Sequence, residues 1–151
     1  MADEPLLDLI RSVFTEQGWQ IERPDPEATI IKAPVETDAG SHVLWIRTKE
    51  DDELVTVFAA LDLEVPADRR AEVAELAGRL NQQLAVGSFE VDPDDGAVAF
   101  KAGIDVEGDR LSVALLRQLV GHALVAAERA IPLFAAVAEG RFPPRMAAER
   151  F

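Results

Sequence analysis

The clearest pattern in the chain is a strict alternation of positions near residue 100. One side of an extended backbone carries the apolar residues Val98, Phe100, Ala102, Ile104 and Val106. A period of two over this length predicts a β-strand with one buried face. The preceding run DPDDG at 92–96 is typical of a turn, so the segments around it are predicted to form a hairpin.

A helix and then several strands are predicted before this hairpin. Apolar residues recur at helical spacing over residues 4–17, with Asp3 suited to the N-cap and Gly18 to the stop. Turn-forming residues then separate four predicted strands, at 19–23, 28–35, 41–48 and 54–65. The charged residues Lys49 to Glu53 are interpreted as a solvated hairpin tip. The strand at 54–65 is apolar on both sides at first, which predicts a central strand covered on both faces.

Two further helices are predicted around the hairpin. Pro66 opens the first, whose apolar side carries Val73, Leu76, Ala77, Leu80 and Leu84. The second spans residues 111–138, and its apolar arc of roughly 220° is about twice what a surface helix needs. Pro132 removes a backbone hydrogen bond and predicts a kink or a restart near Ala130.

The predicted order is therefore α-β-β-β-β-α-β-β-α. Hairpin-length connections favour an antiparallel β-sheet packed against three helices, an α+β domain that spans residues 1–140. Residues 141–151 form a basic, Pro-containing C-terminal tail, which we expect to be loosely held.

Composition narrows the classes of function. The 151-residue chain has a net charge of −13 and no cysteine, which excludes disulfides and cysteine-based zinc sites. So acidic a surface repels phosphate backbones and anionic lipid, so we expect no nucleic-acid or membrane partner. No uncharged apolar run reaches about 18 residues, and the acidic N-terminus does not resemble a signal peptide. A cytoplasmic protein is expected.

Few residues offer chemistry. His42 and His122 show no metal-ligand or triad spacing, and each is interpreted as a surface or boundary residue. The aspartates at 92–95 lack the Glu that completes a calcium loop, so they are interpreted as a turn. We therefore predict no catalytic, cofactor-binding or metal site, and no enzyme activity. A small-ligand-binding protein, or an enzyme with a site that the sequence does not reveal, stays open as the alternative.

Three residues are candidates for holding a protein partner: Trp45, Phe58 and Ala60. The two aromatic residues are interpreted as core residues or, alternatively, as anchors on an open sheet face. If the helices cover one face, the other retains Phe58, Ala60 and one set from Val43 to Ile46. Exposed strand edges can then add backbone bonds, and the surrounding acids favour basic segments. The chain's own basic tail can also occupy this surface.

Surplus apolar surface predicts a homodimer. The last helix and the two-sided strand offer more apolar area than one sheet face covers, and a two-fold contact would bury it. The alternative is that the helices sandwich the sheet within one chain.

One set of features points to a known family: Leu80-Asn81, Gly87, Phe89, the turn at Asp95-Gly96, the strand at 98–100 and the long helix with its late Pro132. In these features the sequence resembles the YbjN family of bacterial sensory transduction regulators. This family is similar in fold to the small acidic type III secretion chaperones, which are commonly homodimers that hold extended partner segments. The resemblance implies a type III secretion chaperone-like fold and an interaction role, and it transfers no catalytic residue.

Overall fold

A computed structural model of the chain describes residues 4–22, 29–38 and 40–151. Within these ranges the helices and strands are α1 (Leu6–Glu16), β1 (Ile30–Thr37), β2 (Gly40–Lys49), β3 (Leu54–Ala60), α2 (Arg70–Asn81), β4 (Ser88–Val91), β5 (Val98–Asp105), α3 (Val113–Ala138) and α4 (Pro144–Ala148). The α+β class is confirmed. The described ranges hold five strands, four α-helices and two short 3-10 helices, whereas six strands and three helices were predicted.

The strands form one antiparallel sheet in the order β1-β2-β3-β5-β4. Its inner face carries the large buried side chains Leu44, Ile46, Val55, Val57 and Phe100. Against this face α1 packs on β1 and β2, α3 packs on β3 and β5, and α2 packs on β4. β3 is central, as predicted, but the described helices cover only one of its faces. The prediction of cover on both faces is therefore wrong for this chain by itself.

The segment predicted as the first strand instead packs against the C-terminal end of α1. The backbone N–H of Trp19 donates to the carbonyl of Phe14 at 2.8 Å, and the two rings meet edge to face at 5.0 Å. In residues 19–22 one backbone bond reaches the sheet, from the Glu22 N–H to the carbonyl of Lys32 at 2.8 Å. The strand prediction fails there because Trp19 is held by the helix. Arg23 and the predicted N-cap Asp3 lie outside the described residues.

The β2–β3 connection is more than a solvated tip. The Glu50 carboxylate accepts hydrogen bonds from the Thr48 hydroxyl at 2.8 Å and from the N–H groups of Leu6 at 2.8 Å and Leu7 at 3.1 Å. Burial alone raises the pKa of Glu50, but these hydrogen bonds outweigh it and hold the pKa below its usual value. This side chain therefore caps α1, a role that the sequence interpretation missed.

The last long helix is continuous. Ser112 caps it by accepting the N–H of Leu115 at 3.1 Å, and α3 runs through Pro132 to Ala138, so the predicted restart is wrong. α3 packs against α2 and α4 as well as the sheet. These helices absorb much of the apolar surplus from which the homodimer was predicted.

The C-terminal segment packs on the core, so the expectation of a loosely held tail is wrong. Pro144 suits the first turn of α4, and Ala147 and Ala148 are buried against α2 and α3. The Phe151 ring lies edge to face on Phe89, with their centroids 6.1 Å apart. Because Phe89 points to the inner side of the sheet, the hypothesis that this segment occupies the outer face is wrong.

Candidate partner-binding face

The outward side chains of the five strands form a surface that we call the open face. Trp45, Phe58 and Ala60 all project from it, and the strand register places Trp45 directly opposite Phe58. Trp45 is 38% exposed, Phe58 is half-buried and Ala60 is exposed. The open-face interpretation of these residues thus matches their positions, and the core interpretation does not.

Cations flank both aromatic rings. The Lys32 ammonium lies 5.3 Å from the Trp45 ring centroid. The Arg47 guanidinium and the Lys101 ammonium lie 5.1 Å and 5.8 Å from the centroid of Phe58. These distances are those of cation–π contacts, which orient the long side chains along the rings.

This arrangement corrects one expectation about charge. Cations contact both aromatic rings, so the surroundings of the pair are mixed in charge and not purely acidic, as the preference for basic segments assumed. Glu22 pairs with Lys32 at 3.0 Å, and Glu90 pairs with Lys101 at 3.2 Å, both at exposed positions. Arg47 has no ion pair with a described residue.

A shallow hollow lies beside Trp45 on the open face. It has a volume of about 430 Å³ and is lined by Lys32, Ser41, Val43, Trp45, Ala60, Leu61 and Asp62. The apolar part of its lining consists of Val43, Trp45, Ala60 and Leu61. The hollow suits an apolar side chain presented by a partner.

The edges of the sheet are less available than expected. On β4, the side chain of Asn81 takes both backbone groups of Phe89, accepting its N–H at 2.7 Å and donating to its carbonyl at 3.1 Å. On β1, the Lys32 carbonyl is taken by Glu22, and Pro34 offers no N–H. Strand addition at these positions is therefore blocked.

The two histidines lie on different elements, His42 on β2 and His122 on α3. His42 is only 5% exposed on the inner face, with Nε2 3.1 Å from the Thr37 hydroxyl and 3.6 Å from a Glu128 carboxylate oxygen. The interpretation of His42 as a surface or boundary residue is wrong, because it shares the inward positions of Leu44 and Ile46. His122 is exposed on α3.

Metal chemistry gains no support from the part of the chain that the structure describes. No cluster of three or more His, Cys, Asp or Glu residues there is placed to hold an ion. The aspartates at 92–95 form a turn: the Asp92 carboxylate accepts the N–H of Asp94 at 2.8 Å, and the Asp95 carboxylate accepts that of Ala97 at 2.8 Å.

Sequence reasoning missed the three cations of the open face. Arg47 could have been found, because it lies two residues from Trp45 and therefore on the same side of β2. Lys32 and Lys101 are on other strands, and only the register brings them beside Trp45 and Phe58.

A sequence match that covers most of the chain identifies its family. The model of the YbjN family, described as "Putative bacterial sensory transduction regulator", matches residues 6–136. The chain belongs to the YbjN family. A search of curated proteins finds no match.

Solved structures share the YbjN fold of this chain. The crystal structure of YbjN from E. coli matches with a TM-score of 0.64 and 14% identity, over 90% of this chain and 94% of that one. A chain of the ExsC–ExsE complex matches with a TM-score of 0.55 and 16% identity, over 87% and 98%. A chain of the HopA1–SchA chaperone–effector complex matches with a TM-score of 0.55 and 18% identity, over 82% and 89%. The type III secretion chaperone-like fold is thereby confirmed.

One helix of this YbjN-family chain meets the length and composition of a membrane span. α3 is long and apolar enough by those two measures, within the described residues. In the structure 44% of its most apolar window is buried, and the helix packs on β3, β5, α2 and α4. This packing is that of a core helix in a globular domain.

Proposed function

We propose that this protein is a non-enzymatic, cytoplasmic binding module, chaperone-like or regulatory, that holds a protein partner on its open face. Trp45, Phe58 and Ala60 are its anchors. The observation that carries the proposal is the adjacent pair Trp45 and Phe58 on a sheet face that the described helices leave uncovered.

The placement of these aromatic residues supports binding over a purely structural role. A Trp on the inner face would bury its ring in the core, whereas Trp45 keeps more than a third of its surface accessible. Trp and Phe are enriched at protein interfaces, where they supply much of the buried apolar area. Two structures of similar fold are of complexes, ExsC with ExsE and SchA with HopA1, which also favours a protein partner.

The decisive experiment is an affinity pull-down with mass spectrometry from the native cytoplasm. We compare the wild type with Phe58→Asp, which places a charge in the centre of the open face. A matched control is Val113→Asp, which changes an exposed apolar residue at the start of α3. Circular dichroism establishes that each variant is folded.

The expected result is a partner captured by the wild type and by Val113→Asp and lost from Phe58→Asp. Capture that is equal for all three proteins would remove the open face as the site. Loss from both variants would place the partner elsewhere or show a general defect.

Self-association is the second candidate, and it concerns a different surface. Val125 is 55% exposed on α3, and with Val86 and Leu84 it lines a hollow on the helical side of about 210 Å³. The lining also includes the polar residues Gln83, His122 and Arg129. We propose that a homodimer forms through this hollow, with two-fold symmetry burying its apolar residues against those of the second copy. Light scattering at micromolar concentration is expected to give twice the chain mass for the wild type and the mass of 16.4 kDa for Val125→Asp. The chain mass for the wild type at every concentration would contradict the dimer.

A further inference from the structure

The outward strand positions of the open face carry four cations and three acids, whereas the protein as a whole has far more acids than cations. The chain has a net charge of −13, yet its three lysines, Lys32, Lys49 and Lys101, all stand at outward positions of the strands. Arg47 joins them there. Of the outward acids, Glu36 and Asp105 lie near strand ends, and Glu90 on the edge strand β4 pairs with Lys101. Outside the strands, Glu22 pairs with Lys32, and Asp62 lines the hollow beside Trp45.

The cations and the aromatic residues form one row across the sheet. The register pairs Lys32 with Trp45, Trp45 with Phe58 and Phe58 with Lys101. Neighbouring strands lie about 4.8 Å apart, so the backbone positions of the two lysines are roughly 14 Å apart. This separation equals that of about four residues of extended chain.

We propose that the open face selects an acidic segment of a partner protein, in which a short apolar pair is flanked by Asp or Glu on both sides. This inference rests on the proposed function and names the chemistry of the partner. The apolar pair packs on Trp45 and Phe58, and the flanking carboxylates meet Lys32 and Lys101. Arg47 offers a planar guanidinium with no ion pair to a described residue, ready for bidentate contact with a carboxylate.

Lys32 and Lys101 already form ion pairs within the chain, but these pairs do not prevent the binding of an acidic segment. Glu22 and Glu90 are exposed, and exposed pairs contribute little to stability. A carboxylate of the partner can therefore replace either of them at small cost. Once the apolar pair covers the rings, the new ion pairs are less hydrated and stronger than the old ones.

A second copy of this chain fits the open face poorly. A two-fold axis that runs along the strands through the centre of the row places Lys32 of one copy against Lys101 of the other. An axis that runs across the strands places each lysine against the same lysine of the other copy. Like charges that are directly opposed are destabilising. A nucleic acid would also satisfy the cations, so a single-stranded oligonucleotide is included among the probes below.

The test uses short fluorescein-labelled peptides and fluorescence anisotropy with the full chain. One peptide carries a Phe-Leu pair flanked by paired aspartates, and its match carries lysines in place of the aspartates. A labelled thymidine oligonucleotide is the third probe. The variants are Arg47→Glu and, as a matched control on the helical side, Arg79→Glu, which changes an exposed arginine of α2.

We expect the Asp-flanked peptide to bind wild type about tenfold more tightly than the Lys-flanked peptide, because three cations each contribute a few-fold. Raising the salt from about 50 mM to about 500 mM should reduce this preference. Arg47→Glu should reduce the preference to about twofold, because two cations remain and one site now repels carboxylates, whereas Arg79→Glu should leave it unchanged.

The outcomes separate this inference from the function on which it rests. Equal or tighter binding of the Lys-flanked peptide, no binding of either peptide, or tighter binding of the oligonucleotide would overturn the acidic-segment proposal. A Phe58-dependent partner in the pull-down would leave the open face as a protein-binding site in each of those cases. If Phe58→Asp captured the partner as well as the wild type in the pull-down while the peptide preference stayed intact, the function assigned to the aromatic pair would instead be overturned.

Discussion

The carboxylate of Glu50 accepts the backbone N–H of Leu6 at 2.8 Å, across 44 positions of sequence. The first N–H groups of a helix lack partners within the helix, and a side chain close in sequence usually supplies them. Here the β2–β3 hairpin supplies one from a distance, and the negative charge also suits the N-terminal end of the helix dipole. The contact therefore ties α1 to the sheet.

Replacing this cap should destabilise the protein in a pH-dependent way. The pKa of Glu50 is lowered on folding, so its contribution is present at neutral pH and is lost as the pH falls through the folded pKa. Glu50→Ala should cost about 1 kcal/mol of unfolding free energy at pH 7. Urea denaturation from pH 7 down to about pH 3 should show wild type and variant converging in acid. Asp51→Ala, at the next residue of the same turn, is the control and should have a small effect at either pH.

Gly87 should not tolerate a side chain. A Cβ there would lie 2.3 Å from Cζ of Phe100 and 2.7 Å from the carbonyl oxygen of Lys101, at a φ of 77°. Gly87→Ala should therefore lower the unfolding free energy by more than about 2 kcal/mol, because both the backbone and the buried ring must shift. Urea denaturation measures the change.

Gly121 is the matched control for that substitution. It lies inside α3, and nothing is within 4 Å of the position that its Cβ would take. Gly121→Ala should stabilise the protein by about 0.5–1 kcal/mol, since Ala favours a helix interior over Gly. Similar losses at both positions would contradict the steric account of Gly87.

Asn81 should matter through its amide rather than its size. Both of its hydrogen bonds go to the backbone of Phe89. Asn81→Ala should cost about 1–3 kcal/mol because it leaves part-buried backbone groups unpaired. Amide hydrogen exchange at Phe89 should become faster, while Gln82→Ala, at the exposed next residue, should leave it unchanged. Unaltered protection at Phe89 in Asn81→Ala would contradict this role.

Removing the chain after Gly140 should destabilise the whole domain. The deletion uncovers surface on α2, α3 and Phe89 that Ala147, Ala148 and Phe151 now cover. We expect a loss of at least about 2 kcal/mol in urea denaturation, comparable with exposing one large apolar side chain. Arg145→Ala, at an exposed position of α4, should have little effect. A truncated chain as stable as wild type would show that this packing adds nothing.

The local part of the fold could be predicted from the sequence. The hairpin around 92–96 depends on turn residues and on a period of two, both of which are encoded within a few positions, and β4 and β5 form as expected. The helices α1 and α2 follow their apolar spacing in the same way. The family resemblance added the topology that local patterns do not contain.

The failures concern contacts between distant residues. Trp19 was predicted to be a strand residue because its hydrogen bond to the end of α1 is not visible in the sequence. The C-terminal segment was expected to be loose because its contacts with Phe89 and α2 depend on the folded chain. The alternation of inward and outward side chains along β2 is sufficient to place His42 on the inner face. Lys32 and Lys101 needed the register of four strands, which is set by the packed sheet as a whole.

A sheet with an exposed aromatic face is prone to aggregation, and the edges of this sheet limit that tendency. Unpaired strand edges let sheets of different molecules join and grow into fibrils, and exposed apolar surface promotes such encounters. Here Asn81 occupies the outer edge at Phe89, while Pro34 and the bond from Glu22 interrupt the edge of β1. If the proposed function holds, these interruptions limit edge-to-edge growth while Trp45 and Phe58 remain accessible for a partner.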